Sequence, residues 1–487
     1  MLCAFLHGDH NRTYQETETD CPAGSSFAGH LFFGKKESLM SKSTPPPGTS
    51  DITPEEAPTW CFLENTAKKV FSLYGYGELR TPIFEYTEVF QRGLGDETEV
   101  VKKEMYTFED RGGRSITLRP ENTASVVRAY LQNKLYGDSS LVKLFYIGSM
   151  FRYDRPQAGR MREFHQFGLE CLGTASPAAD AEVIGIANDI FSFLGVRGLK
   201  LEINSIGCPA CRKEYHKALR EYFESRKDEL CHTCLDRLER NPMRILDCKS
   251  PVCSEIARDA PKALDYLCDE CRTHFDSVQK YLKAMDIPFT VEPSIVRGLD
   301  YYTKTVFEFV STEIGAQGTV CGGGRYDGLV EEIGGAHTPA LGFAMGIERL
   351  LLLMEKQGLP FPEREKCSLY IATMGEKASF KAASIASSLR REGLEVQFDV
   401  VSRSVKAQMK YANKLGAAFT VVIGDSELDS GIVKLKNMES GEETEVALEN
   451  FEEAFMRASL SESLKGLEDL GVDTGIDLDA IMNGKLF

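Results

Sequence analysis

The sequence predicts an α+β protein: a largely antiparallel sheet interrupted by a helical insertion, followed by a smaller α/β domain. Three observations carry this expectation. Between residues 78 and 205, strand-like and helical runs are irregularly interspersed, as in an α+β layer. Eight of the 14 cysteines crowd between Cys208 and Cys271, in otherwise helical sequence. From residue 367 the order becomes β-α-β-α-β, which implies a small domain with a mainly parallel sheet.

Residues 1–44 are polar and lack a periodic apolar pattern. They are expected to be an irregular extension or sequence ahead of the true start, because codons for Lys36-Glu37 are compatible with a ribosome-binding site just before Met40. Globular sequence opens at Thr53-Pro-Glu-Glu56, where Thr followed by Glu three residues on starts an amphipathic helix, Trp60 to Tyr74. Gly75 and Gly77 end it, and a strand from Glu78 to Phe84 carries Pro82, which suits an edge or an interface. Strands are then expected at Ser115–Leu118, Leu144–Ile147, Gly168–Leu172 and Lys200–Asn204, with helices at Thr123–Leu135 and Ala178–Leu194. Helices Glu214–Leu230 and Val278–Met285 belong to the insertion. Strand character resumes at Phe289 and Thr305–Val310, and Ala340 to Arg349 reads as a strand running directly into a helix. The expected division is 45–206 and 287–356 as one catalytic domain, 207–286 as the insertion, 357–366 as a linker with two prolines, 367–458 as the second domain and 459–487 as an acidic extension.

A net charge of -16 and a pI near 5.2 exclude a protein that coats nucleic acid through its overall field, but not a local basic groove. No apolar run approaches the roughly 20 residues of a membrane span. Clustered C-x-x-C pairs favour a reducing, cytoplasmic setting and a metal over disulfides.

The densest chemistry lies in Arg297-Gly-Leu-Asp-Tyr-Tyr302, a cation, a carboxylate and two phenols within six positions. Such a mixture suits a pocket that recognises a polar small molecule and stabilises negative charge. Cys321-Gly-Gly-Gly-Arg-Tyr-Asp-Gly328 follows after one strand. Phe151 to Glu170 reads as a hairpin with arginines at its base and tip, where a guanidinium forks around phosphate and Phe164 offers a face to a nucleotide base. His165, between Phe164 and Gln166 on a strand, should point away from their face.

With Gly77-x-x-x-x-Pro82 and Gly342 to Arg349 added, these segments resemble motifs 1, 2 and 3 of class II aminoacyl-tRNA synthetases, and Arg297–Tyr302 and Gly322–Gly328 resemble the two histidine-specific motifs of the histidyl-tRNA synthetase family. The resemblance covers roughly residues 45 to 460. It implies a class II-like antiparallel catalytic domain with an anticodon-binding C-terminal domain, a homodimer, and L-histidine, ATP with Mg²⁺, and tRNA(His) as partners. By the same resemblance, Arg152 and Arg297 flank the α-phosphate as the catalytic pair and also touch histidine. Asp154, Arg160, Phe164 and Arg349 hold ATP. Glu121, Thr123 and Gln166 hold the histidine α-ammonium group, Glu170, Tyr302 and Tyr326 surround its imidazole, and Asn122 and Tyr301 belong to the same histidine site. Arg155, Gln157 and Arg162 on the hairpin, and Arg403, Lys406, Lys410 and Lys414 in the last domain, are expected against RNA. The alternative is a non-catalytic paralogue serving as regulatory subunit of ATP phosphoribosyltransferase, disfavoured because the motif arginines and tyrosines are intact.

Cys208, Cys211, Cys231 and Cys234 are expected to form one structural Zn²⁺ site, and Cys248, Cys253, Cys268 and Cys271 a weaker second candidate. Loss of metal is expected to impair tRNA charging more than adenylate formation, because the family's insertion lies near the acceptor stem.

Overall fold

The structure, a computed structural model, describes residues 44–469 apart from 96, 97, 99, 138, 139, 158, 249, 316, 317 and 363–365. The expectations for Met40, for residues 1–43 and for residues 470–487 lie outside the described residues. The chain divides into Met1–Pro47, of which residues 44–47 are described, and Gly48–Phe487.

The first helix, Ala57–Leu73, starts as the sequence suggests: the Thr53 backbone N–H and hydroxyl both donate to the Glu56 carboxylate at 3.0 Å. Eleven strands follow before residue 350: β1 (Gly77–Glu78), β2 (Phe84–Tyr86), β3 (Tyr106–Glu109), β4 (Ser115–Leu118), β5 (Val142–Phe151), β6 (Glu163–Leu172), β7 (Lys200–Ser205), β8 (Thr290–Val291), β9 (Thr303–Val310), β10 (Thr319–Arg325) and β11 (Ala340–Gly346). Eight of them form one sheet in the order β1-β5-β6-β11-β10-β9-β7-β8, and β2-β4-β3 form a small second sheet. The large sheet is antiparallel except at its edge pairs, β1–β5 and β7–β8.

The expected strand from Glu78 to Phe84 is instead split between β1 and β2. Pro82 has no N–H to offer a ladder, and the intervening chain keeps single bonds, Leu79 N–H to the Phe145 carbonyl and Arg119 N–H to the Ile83 carbonyl.

Strand alternation gives the large sheet two unlike faces. Phe167, Leu169, Phe307 and Phe343 point to one side, into a core shared with Leu63 and Phe71 of the first helix and Ile184 and Ile190 of helix Pro177–Phe193. The opposite face carries Gln166, Glu170, Glu308 and several glycines, and stays open as a cleft.

Between β7 and β8 the insertion forms helices Pro209–Glu224, His232–Arg240, Pro251–Arg258 and Asp269–Ala284. The first and last begin earlier than their apolar periodicity indicates, because Cys208 and Cys268 take the N-cap positions; Pro209 then pre-sets the first turn and Asp269 and Glu270 complement the last helix's dipole.

The C-terminal sheet is ordered β13-β12-β14-β15-β16, with β12 (Leu369–Thr373), β13 (Val396–Phe398), β14 (Phe419–Ile423), β15 (Ile432–Asn437) and β16 (Glu443–Ala447). It is mixed rather than mainly parallel. The β15–β16 connection is too short for a crossover, so those strands pair antiparallel, as do β14 and β15.

Candidate functional site

A cleft of about 1180 Å³ lies over the polar face of the large sheet. Its floor depends on glycines placed opposite acids: Gly342 pairs with Glu170 and Gly322 with Glu308. A Cβ on Gly342 would sit 1.9 Å from a Glu170 carboxylate oxygen, and one on Gly322 would sit 2.5 Å from an Arg297 guanidinium nitrogen. Glycine at these two positions therefore lets a carboxylate and a guanidinium lie flat on the sheet.

At one end of the cleft Glu170 accepts from the Thr123 hydroxyl at 2.8 Å and from the Tyr326 hydroxyl. Tyr301 packs edge-on against Tyr326 and tilted against Tyr302, closing an aromatic collar. Burial pushes the Glu170 carboxyl and the Tyr326 phenol well above their ordinary ranges. Gln166 faces the same space, and its buried amide oxygen has no protein hydrogen-bond partner. Glu121 also lines the cleft, but its carboxylate is occupied by the backbone N–H groups of Thr123 and Ala124, both at 2.8 Å, at the start of helix Thr123–Gln132.

Asn122 is turned elsewhere. Its side-chain oxygen accepts from the Thr81 hydroxyl at 2.7 Å and from Arg119 at 3.2 Å, behind the cleft wall. Of the residues expected for histidine, Glu121, Thr123, Arg152, Gln166, Arg297, Tyr301, Tyr302 and Tyr326 line the cleft, Glu170 lies buried beneath it on Thr123 and Tyr326, and Asn122 is left out.

The other end gathers guanidinium groups. Arg152, at the end of β5, donates to the Pro120 carbonyl at 2.8 Å and lies 5.4 Å from the Phe164 ring centroid. Arg349, in the first turn of helix Ile347–Lys356, donates to the carbonyls of Gly159 and Thr319 at 3.1 and 2.7 Å. Burial, together with the nearby charges of Arg160 and Arg152, lowers the Arg349 pKa, so this end concentrates positive charge. Arg160 pairs with Asp154 at 2.8 Å. Arg297 is ion-paired with Glu308, which outweighs the cost of burial and raises the guanidinium's pKa.

His165 lies on the apolar side, as alternation predicts. Its ring is 2.9 Å from Glu348, 3.1 Å from Ser149 and edge-on to Trp60.

This arrangement places an acid-and-hydroxyl pocket and a guanidinium cluster on one glycine-paved sheet face. Residues 48–350 match the family model for histidyl-tRNA synthetase, and residues 368–457 the anticodon binding domain. The histidine–tRNA ligase of Halothermothrix orenii is 53% identical over 412 residues, spanning 85% of this chain and 98% of the relative. The chain belongs to the histidyl-tRNA synthetase family. The histidine–tRNA ligase of Clostridioides difficile is 52% identical across 83% of this chain and 96% of its own length. The apo histidyl-tRNA synthetase of S. aureus superposes with a TM-score of 0.72 at 41% identity, covering 85% of this chain and 99% of that one.

For a family member whose acids and arginines are this crowded, sequence reasoning missed Glu308, the partner of Arg297; its signal was a lone carboxylate inside the apolar run Thr305–Val310. It also missed Arg212, Asn241 and Arg244, which reach the Arg297–Tyr302 segment from the insertion. Arg162, expected against RNA, stacks 4.1 Å from the Tyr153 ring and donates to the Asp154 carbonyl.

The cysteines group differently from the sequence expectation. Cys208, Cys211, Cys268 and Cys271 converge, as do Cys231, Cys234, Cys248 and Cys253, with all sulfurs of each set within 4.8 Å of one another. The reason is topological. Because β7 and β8 are neighbours, the insertion must leave and return at adjoining points, so its first and last C-x-x-C pairs meet. The middle cysteines are left to pair among themselves.

Proposed function

We propose that this cleft carries out the family's reaction: activation of L-histidine by ATP to histidyl-adenylate, then transfer to the 3′ end of tRNA(His). One observation carries the assignment of residues, the placement of the Glu170–Thr123–Tyr326 pocket and the Arg152, Arg297 and Arg349 guanidiniums along a single open sheet face. An imidazole carries two nitrogens that need partners. The Glu170 carboxylate accepts from one N–H, the tyrosines exclude water and supply hydroxyls, and the orphan Gln166 oxygen accepts from the α-ammonium group.

The histidine carboxylate attacks the α-phosphorus, a P–O bond forms, and the bond to the β-phosphate oxygen breaks to release diphosphate. Arg152 and Arg297, both lining the cleft, meet the negative charge that collects on the α-phosphate oxygens. They carry no proton in the reaction, since a guanidinium stays charged. Phe164, held near Arg152, stacks on adenine, and Arg160 and Arg349 take the γ-phosphate. Bound with ATP, Mg²⁺ would supply positive charge to the polyphosphate, and Glu308 and Glu348 are carboxylates at this end of the cleft that would face it. In the second step a terminal ribose hydroxyl of the tRNA attacks the acyl carbon and AMP leaves.

The same reading assigns 45–206 with 287–356 to catalysis, 207–286 to an insertion, 357–366 to a linker and 367–458 to anticodon binding. It gives the insertion structural Zn²⁺, makes the protein a homodimer, and places it in the cytoplasm. No helix of the described residues is long and apolar enough to cross a membrane.

ATP–diphosphate exchange measured across the amino acids tests the reading. Histidine alone should support exchange, and Arg297→Ala should slow it about a hundredfold or more, the effect of losing a preorganised charge. Near-normal exchange in that variant would remove Arg297 from the mechanism.

A further inference from the structure

The insertion does more than extend from the sheet. From it, three side chains grip the Arg297–Tyr302 segment, two of them by its backbone. Arg244 donates to the carbonyls of Arg297 and Gly298 at 2.9 and 2.8 Å and to the Asp300 carboxylate at 2.8 Å. Asn241 donates to the same carboxylate at 3.2 Å, and Arg212 to the Tyr302 carbonyl at 3.2 Å. A guanidinium spread over two carbonyls and a carboxylate fixes a loop's path, not only its charge.

The gripping residues lie beside the cysteines in sequence. Arg212 directly follows Cys211, and Asn241 and Arg244 lie between Cys234 and Cys248. The segment from 231 to 253 has few buried apolar side chains of its own, Leu238, Met243 and Ile245 among them, too small a core to order itself without a staple. Both sulfur sets have the dimensions of one tetrahedral ion. Cys208 and Cys211 sulfurs are 3.6 Å apart and those of Cys231 and Cys248 are 3.8 Å apart, against an edge of about 3.8 Å for a tetrahedron with Zn–S bonds of about 2.3 Å. Backbone N–H groups already point at the sulfurs, from Cys268 to Cys211 at 3.1 Å and from Cys231 to Cys253 at 3.2 Å, as thiolates bound to a metal require. The sulfurs lie too close together to span a four-iron cluster.

We propose that the insertion binds two Zn²⁺ ions, one in each cysteine set, and that their role is to set the histidine pocket. The proximal ion (Cys208, Cys211, Cys268, Cys271) closes the insertion's root and orients Arg212. The distal ion (Cys231, Cys234, Cys248, Cys253) holds Arg244 and Asn241 against the loop that carries Arg297, Tyr301 and Tyr302. Tyr301, Tyr302 and Tyr326 share one continuous core with Cys234, Leu238, Ile245 and Cys253, so disorder in the distal lobe loosens the collar directly. Arg244 is a positioning residue. The proposal rests on the reading of Arg297–Tyr302 as part of the histidine site, and it departs from the expectation that metal loss falls mainly on tRNA charging.

Full-length protein purified under reducing conditions without chelator should contain two zinc ions per chain; zinc-free protein overturns both sites. Exchange kinetics are then compared for untreated protein, protein stripped with a mercurial and chelator, and stripped protein reduced and reloaded with Zn²⁺. Stripping should raise the histidine KM about tenfold or more while the ATP KM moves less than about twofold, and reloading should reverse it. Arg244→Ala should reproduce the histidine effect with both zinc ions retained, and Arg244→Lys, which keeps one donor, should recover part of it. Asn241→Ala provides a milder second variant. An unchanged histidine KM in stripped protein, or in Arg244→Ala and Asn241→Ala together, overturns the clamp while leaving histidine-dependent exchange in place. No histidine-dependent exchange in untreated protein would overturn the histidine reading itself and the clamp with it.

Discussion

Glu170 is a carboxyl at the bottom of a cleft, and burial raises its pKa well above the ordinary range. A raised pKa means the folded state holds the proton more tightly than the unfolded chain. The contribution to stability is therefore present in acid and is lost as pH rises through the folded value. Glu170→Gln should accordingly melt higher than the native protein at neutral pH, with the gain shrinking as pH falls toward the ordinary carboxylate range, while raising the histidine KM by about a hundredfold through loss of the imidazole partner. Thermal melts across pH, together with exchange kinetics, check both halves; a variant with an unaltered KM would place the imidazole elsewhere. Tyr326→Phe removes the hydroxyl bonded to Glu170, and should relax discrimination against histidine analogues lacking a ring nitrogen rather than abolish exchange.

At the scale of elements, the chemistry depends on strands that carry almost no side chain. Gly322→Ala would drive a methyl into the Arg297 guanidinium, which is ion-paired with Glu308. Its kcat for exchange should fall about tenfold or more with little change in the histidine KM, a split that steady-state kinetics resolves. In the C-terminal domain, helix Val405–Leu415 presents Lys406, Lys410 and Lys414 at four-residue spacing on one exposed face, with Arg403 stacked on Tyr411 beside them. Lys406→Glu with Lys410→Glu should weaken tRNA charging and flatten its salt dependence while leaving ATP–diphosphate exchange unaltered. Equal effects on both half-reactions would remove this helix from RNA binding.

For the whole molecule, the small sheet bears on assembly. Ile83, Phe84, Tyr86 and Phe108 are about half exposed on or beside it, next to the break at Pro82. Apolar side chains clustered on the edge strands of this sheet suit a self-complementary twofold contact. The protein should sediment as a dimer at micromolar concentration, and Ile83→Asp with Phe84→Asp should yield monomers with reduced charging activity. A native monomer with full activity would contradict the expectation.

Local pattern determined a good deal. Apolar periodicity and turn residues located the first helix, the β5–β6 hairpin, the switch from α+β to α/β near residue 367, and the face on which His165 turns away from Gln166. These follow from spacing along the chain, which a sequence contains in full. What tertiary structure alone decided concerns residues brought together from afar. Glu308 meets Arg297 across strand and loop, Arg244 reaches the Arg297–Tyr302 backbone from a segment some fifty residues earlier, and Asn122 turns to Arg119 and Thr81 rather than to the cleft. The cysteines make the contrast plainest. Neighbouring C-x-x-C pairs invite a sequential grouping, yet β7 and β8 lie side by side, and an insertion whose ends must meet brings its first pair to its last.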